Sequence, residues 1–357
     1  MTTLGSQTGA RRGNNFNVLR LLLALMVIFS HSFPVALGLG GDTWYEPIFQ
    51  WTRHQESSGG VAVHLFFLIS GFLVTASWQR SSSLLDYLLK RIRRIYPGFI
   101  CALVFSATLA WTVSPGFRSA GGHPANWGWL WLQDLACLTT NSLCQAGLFA
   151  GNPLAGLANA SMWTIVGEFL CYLGVLIVGF FGGFQKPRVF LIAALLGYEI
   201  YALSVFKFAG RWDESLACFL TGAVFWLWRD RIPLSNWLAG GGLAVLVVAS
   251  QFPPWLQLVF PILAGYCTLW LAYGPKWILS EWADKTDLSY GTYLYAFPVQ
   301  QMLAMHPALR RPGLIFICAV PITLGFAWLS WNLVEKRFLA MKNRAPAPDQ
   351  PAASGGT

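Results

Sequence analysis

The chain has 357 residues, of which 55% are apolar, 15% aromatic and only 11% charged. A soluble globular domain is about 25% charged, so soluble, disordered, collagen-like and coiled-coil classes are excluded and a polytopic membrane protein remains. Lysine and arginine outnumber acids 24 to 15, giving a net charge of +9. No basic run sits on a soluble domain of useful size, so the excess reads as membrane topology and not as nucleic-acid binding.

Charge-free runs locate the spans, because about 20 apolar residues cross the hydrocarbon core. Such runs separate Arg20 from Asp42, Glu56 from Arg80, Arg94 from Arg118, Asp287 from Arg310 and Arg311 from Glu335; the longest, between Arg231 and Lys276, holds two helices joined at Gln251–Trp255. With three further spans that carry or adjoin charges, the reading is an all-α membrane bundle of about ten helices: 16–38, 60–80, 96–114, 161–182, 188–206, 213–229, 235–250, 255–273, 287–305 and 313–334. The segment 127–138, rich in tryptophan and too short to cross, reads as an interfacial helix. Residues 1–15 form an N-terminal segment, 16–340 the membrane domain, and 341–357 a Pro/Ala/Gly/Ser-rich tail expected to be disordered. With the N-terminus inside, seventeen lysines and arginines fall on the inner side and six on the outer, which places both termini in the cytoplasm. The first apolar stretch is too long for a cleavable signal peptide and no A-x-A pattern follows it.

Five of the seven cysteines fall within spans and read as small buried hydrophobes; Cys137 and Cys144 share the long outer connection, where either a disulfide or two free thiols fits. No CxxC pair or His/Cys cluster has metal-ligand spacing, so no metal is expected. Nucleotide-binding and nucleophile-elbow motifs are absent, and no internal repeat is visible.

Ionisable residues inside a membrane are the informative ones, since burying them in lipid costs several kcal/mol. Arg20 and His31 are eleven residues apart, three helical turns plus about 20°, so both lie on one face about 16 Å apart. Asn17 shares that face. His64 falls near the outer end of its helix and reads as an interfacial residue. Arg91 and Arg94 stand three apart in a basic segment, Lys90-Arg-Ile-Arg-Arg94. That segment suits either a phosphate clamp or an anionic-lipid and topology signal. Glu168 enters its span early and needs a partner or a proton, with Tyr172 one turn on. The 287–305 helix carries Tyr290, Tyr293, Tyr295, Gln300 and Gln301, much polarity for a lipid-facing helix.

Six motifs occur in register: Asn-Phe-Asn-Val-Leu-Arg20 with His31; Gly-Gly-Val-Ala-Val-His64-Leu-Phe-Phe-Leu-Ile-Ser-Gly-Phe; Lys-Arg91-Ile-Arg-Arg94-Ile-Tyr-Pro; Asn-Ala-Ser-Met-Trp163-Thr-Ile-Val-Gly-Glu168-Phe-Leu-Cys-Tyr; Leu-Ser-Tyr290-Gly-Thr-Tyr293-Leu-Tyr; and Leu-Ser-Trp-Asn-Leu-Val-Glu335-Lys. Over about residues 14–340 they resemble the acyltransferase-3 family of bacterial integral-membrane O-acyltransferases. Asn17, where many members have Asp, and Lys336-Arg337, where many have a proline soon after the glutamate, are departures, so neither Asn17 nor Glu335 is given a catalytic role.

The resemblance implies transfer of an acyl group, acetyl by default, from cytoplasmic acyl-CoA to a carbohydrate hydroxyl of an exopolysaccharide, lipopolysaccharide or related glycan, in the bacterial inner membrane. Acyl-CoA is then a co-substrate, and no cofactor is bound permanently. The implied catalytic histidine is His31 and the implied donor-site cations are Arg20, Arg91 and Arg94. Glu168 is added as a second catalytic candidate, and Trp163, Tyr290 and Tyr293 as substrate-binding candidates. A thioester is already activated, so a histidine that deprotonates the attacking hydroxyl suffices, or one that carries the acyl group itself. Two other classes stay open: a proton-coupled transporter or flippase with His31 and Glu168 as relays, and a membrane scaffold indifferent to His31.

Overall fold

The computed structural model describes residues 2–8, 13–39, 45–114, 132–144, 147–207, 211–275 and 277–341. Among them there are helices and two isolated β-bridges, with no strand. Among the described residues ten helices exceed twelve residues: α1 (Phe16–Leu37), α2 (Ser58–Gln79), α3 (Leu84–Val113), α4 (Trp163–Phe180), α5 (Pro187–Lys207), α6 (Arg211–Leu227), α7 (Asn236–Ala249), α8 (Trp255–Tyr273), α9 (Ser289–Ala304) and α10 (Pro312–Ser330). Seven are long and apolar enough to cross a membrane; α6, α7 and α9 are shorter. A π-helical turn, Trp331–Glu335, joins α10 to a last helical turn, Lys336–Ala340.

The largest departure from the expected boundaries is α3, which starts at Leu84 instead of 96 and carries the whole basic segment on a continuous helix of 30 residues. Its start is set by a reciprocal cap. Ser83 Oγ accepts from the Asp86 backbone N–H, and Asp86 Oδ2 accepts from the Ser82 N–H. Pro97 lies inside the helix without ending it. Of the expected interfacial helix at 127–138, residues 132–137 are helical and 127–131 lie outside the described residues, as does the tail from 342. All seven cysteines are free thiols, Cys137 and Cys144 included.

Glycine sets the closest helix contact. A Cβ on Gly71 of α2 would run into the Phe219 carbonyl of α6, and one on Gly222 of α6 into the Leu68 carbonyl of α2. Small residues thus let the two backbones touch, the usual route to helix association where lipid removes the hydrophobic drive. At the periphery, α5 leaves Leu195, Leu196 and Ile200 exposed, as a lipid-facing helix must.

The polar helix α9 is the opposite case. Every residue from Ser289 to Gln301 is buried, and its polar groups tie neighbours together. Gln300 donates to the Ile28 carbonyl (2.7 Å) and to Ser32 Oγ (2.9 Å) on α1. Gln301 donates to the Leu154 and Leu157 carbonyls and accepts from Asn152. Asn159 donates to the Leu294 carbonyl. A polar sequence in an apolar chain marks the centre of the bundle here, because only protein neighbours satisfy such groups away from water.

Candidate active site

Two cavities lie toward opposite ends of the bundle. The first, about 180 Å³, is lined by Arg20, Ser70, Arg91, Arg93, Arg94 and Tyr172. Its cations come from the first turn or so of α1 and from the part of α3 that precedes Pro97. Asp287, two residues before α9, joins them. Its Oδ2 accepts from Arg94 (2.8 Å) and from Arg20 (3.3 Å), while its Oδ1 accepts from the Ser289 hydroxyl and backbone N–H (2.6 and 3.2 Å). Burial alone would raise this carboxyl, yet the Arg94 and Arg20 guanidiniums hold it well below the usual carboxylate range. One carboxylate against two guanidiniums leaves a net positive site, which suits an anion.

Arg91 is held separately. It donates to Ser77 Oγ (3.0 Å) and lies between the rings of Tyr87 and Tyr172, 5.7 and 5.4 Å from their centres. Arg94 stacks on Tyr290, whose hydroxyl donates to the Ile95 carbonyl. Glu168 sits beside this end: its Oε1 accepts from Ser70 Oγ (2.9 Å) and from the Tyr172 hydroxyl. The expected partnership of Glu168 with Tyr172 one turn on is therefore present.

The second cavity, about 270 Å³, contains His31, Pro34, Trp163 and Tyr293, with Glu56, His64, Glu214 and Gln257 on its other walls. His31 Nδ1 stands 3.3 Å from Ser161 Oγ, and its ring meets Phe297 edge-on at 5.4 Å. Ser161 is itself fixed by its N–H donating to Asn159 Oδ1. In the tautomer with its proton on Nδ1, the ring donates to Ser161 and the basic lone pair is on Nε2. Tyr293 shares a hydrogen bond of 2.7 Å with Thr164, next to Trp163 at the start of α4.

The structure thus groups Arg20, Arg91 and Arg94 at one end, and His31, Trp163 and Tyr293 at the other. Glu168 and Tyr290 do not line His31's cavity; Tyr290 braces α3 against α9 below Arg94. His64, expected at the membrane interface, is 3% exposed and packs inside the bundle. Its helix is covered at that level by α6 and by the segment before α2. The sequence reading had no role for Asp287, which marked only the end of a charge-free run, or for Ser161 and Asn159, visible only as polar residues at the edge of a span. A carboxylate 267 residues from Arg20 carries no spacing signal.

Comparison with known proteins follows the same line. An acyltransferase-domain family model, that of acyltransferase-3, matches residues 14–332. The O-acetyl transferase of Shigella phage Sf6 is 29% identical, over 92% of this chain and 96% of its own. Nodulation protein 10 of Rhizobium leguminosarum bv. viciae is also 29% identical, over 93% and 94%. No solved structure matches.

Proposed function

The chain belongs to the acyltransferase-3 family, and from that premise we propose that this membrane O-acyltransferase moves an acetyl group from acyl-CoA to a hydroxyl of a surface glycan. The observation that carries the reading is the separation of the two cavities. A cationic one suits a phosphate-bearing donor, and a histidine one with aromatic walls suits a sugar.

In this reading Arg20, Arg91 and Arg94 hold the phosphates of acyl-CoA on the cytoplasmic side. The extended pantetheine arm carries the thioester along the Arg20–His31 face, where eleven helical residues span about 16 Å. The acceptor hydroxyl enters beside Trp163 and Tyr293. His31 Nε2 takes its proton as the oxygen attacks the thioester carbonyl. A C–O ester bond forms, the C–S bond breaks, and the CoA thiolate leaves and recovers the proton. Ser161 keeps the imidazole in the working tautomer. Glu168 offsets part of the positive charge at the donor end and fixes Tyr172 against Arg91. No resident cofactor is required. The chain then lies in the inner membrane as ten spans with both termini cytoplasmic; α6 and α9 are short spans packed among other helices, and α7 is a short span that leaves Trp237, Leu243 and Val248 exposed.

The test is transfer of labelled acetyl from acetyl-CoA by the purified protein in detergent, paired with glycan analysis of cells lacking it. Unchanged glycan acylation together with no transfer sinks the reading. For sidedness, a cysteine at Ser82 is expected to resist an impermeant outside reagent in intact cells and one at Gln50 to react. The reverse pattern inverts the topology.

A further inference from the structure

The wall of the second cavity formed by α2, α6 and the residues just before α2 holds a cluster that the proposed transfer reaction does not use. Glu56 precedes α2, His64 lies on its second turn, and Glu214 lies on the first turn of α6. His64 Nδ1 is 3.5 Å from Glu214 Oε1 and 3.8 Å from Glu56 Oε1, and one ligand atom of each of the three residues lies within 4.8 Å of the other two. All three are buried, and among the described residues Glu214 Oε1 accepts no hydrogen bond. Two carboxyl groups and an imidazole crowded this closely in the interior need a proton or a cation between them.

We propose that Glu56, His64 and Glu214 form a binding site for a divalent transition-metal ion of the zinc class. A tetrahedral ion with ligands at about 2.0–2.2 Å spaces them about 3.3–3.6 Å apart. The His64–Glu214 separation already meets that spacing, and Glu56 Oε1, at 3.8 Å, needs to close on His64 by a few tenths of an ångström. One nitrogen with two carboxylate oxygens favours Zn²⁺, Co²⁺ or Mn²⁺ over the all-oxygen preference of Ca²⁺ and Mg²⁺. Three protein ligands leave a fourth position toward the cavity, which Ser215 and Gln257 also line.

The scaffold is shaped for it. A Cβ on Gly60 would collide with Glu56 Oε2, so glycine there lets the carboxylate fold over the first turn of α2 toward His64, one turn on. Phe260 meets the His64 ring edge-on at 6.0 Å and restricts its rotation. The ion would join α2 to α6 at one end of the pair whose backbones touch at Gly71 and Gly222. Sequence spacing gives no hint of it, because positions 56, 64 and 214 match no metal motif.

The test uses full-length protein in detergent, stripped with a chelator and titrated with Zn²⁺ against a competing indicator, and with Co²⁺ by visible absorption. The expected result is one ion per chain, a rise in melting temperature with Zn²⁺, and Co²⁺ bands typical of a low-coordinate N/O site. Glu214→Gln and His64→Gln should each weaken Zn²⁺ binding at least ~100-fold, since even outer-shell partners are worth 10- to 100-fold. Gly60→Ala, which keeps all three ligands but crowds Glu56, should weaken it less. It covers the case in which the other two variants fold poorly. Stripped, well-folded protein that takes up no Zn²⁺ or Co²⁺ overturns the proposal. So does binding that is the same in wild type and in folded variants, or a loss of acceptor affinity in Glu214→Gln when the wild type holds no ion.

Discussion

The cationic end and the histidine end of this bundle solve opposite problems. At the first, four arginines come from two helices, and like charges are held together by Asp287, by Ser77 and by the rings of Tyr87, Tyr172 and Tyr290. At the second, His31 meets a serine, an aromatic edge and a cavity wall bearing two carboxylates. The same helices, α1, α2 and α4, contribute to both ends. A difference of about three turns along one helix therefore separates the proposed anion site from the proposed proton-transfer site. The permanently ionised guanidiniums are concentrated at the first end. Near His31 a group able to change its protonation is placed instead.

The sharpest way to break this division is His31→Ala. Transfer should fall by roughly 10²- to 10⁴-fold, the span of general acid–base catalysis, with donor affinity unchanged in equilibrium binding of acetyl-CoA. Near-normal turnover would leave the histidine end without its chemistry.

Asp287→Asn strikes the cationic end. It leaves Arg20 and Arg94 facing each other without a carboxylate, and stability should drop by ~3 kcal/mol, the low end for a broken buried pair, read as a lower melting temperature. The wild-type carboxyl is held low, so its contribution is full above the ordinary carboxylate pKa and is lost as pH falls below about 4. The variant's stability should lack that acid step, and an unchanged step would show that Asp287 does not carry the pairing.

Arg91→Gln should raise the KM for acetyl-CoA about 10-fold or more, the loss of a charge-assisted contact, and leave the acceptor KM in place. Arg91→Lys should recover only part, because lysine lacks the planar fork. Steady-state titration of each substrate separately decides it. A matching rise in acceptor KM would merge the two ends into one site.

The smallest effect belongs to Tyr293→Phe, which removes the hydrogen bond to Thr164. A cost of about 1 kcal/mol, or some five-fold, should appear in acceptor KM alone. A donor effect instead would move Tyr293 to the other end.

The sequence alone determined the membrane class, the order of the helices and the alignment of Arg20 with His31, because hydropathy and helical period are local properties of the chain. It also marked α9 as unusual through its tyrosines and glutamines. It did not show that this helix is central, since polarity in a span says that partners exist without saying where. The extension of α3 back to Leu84 was hidden by reading charges as loop; a capped helix carries them past the apolar stretch.

Only the tertiary structure brought Asp287 to Arg20 and Arg94, put Ser161 against His31, assigned Glu168 and Tyr290 to the cationic end, and gathered Glu56, His64 and Glu214. Each of these contacts joins residues from separate elements, all but Glu56–His64 of them at large sequence separation. Periodicity and charge count constrain only neighbours along a helix, so a pairing across the bundle is fixed by how the helices pack, and the packing is set by small residues such as Gly71 and Gly222.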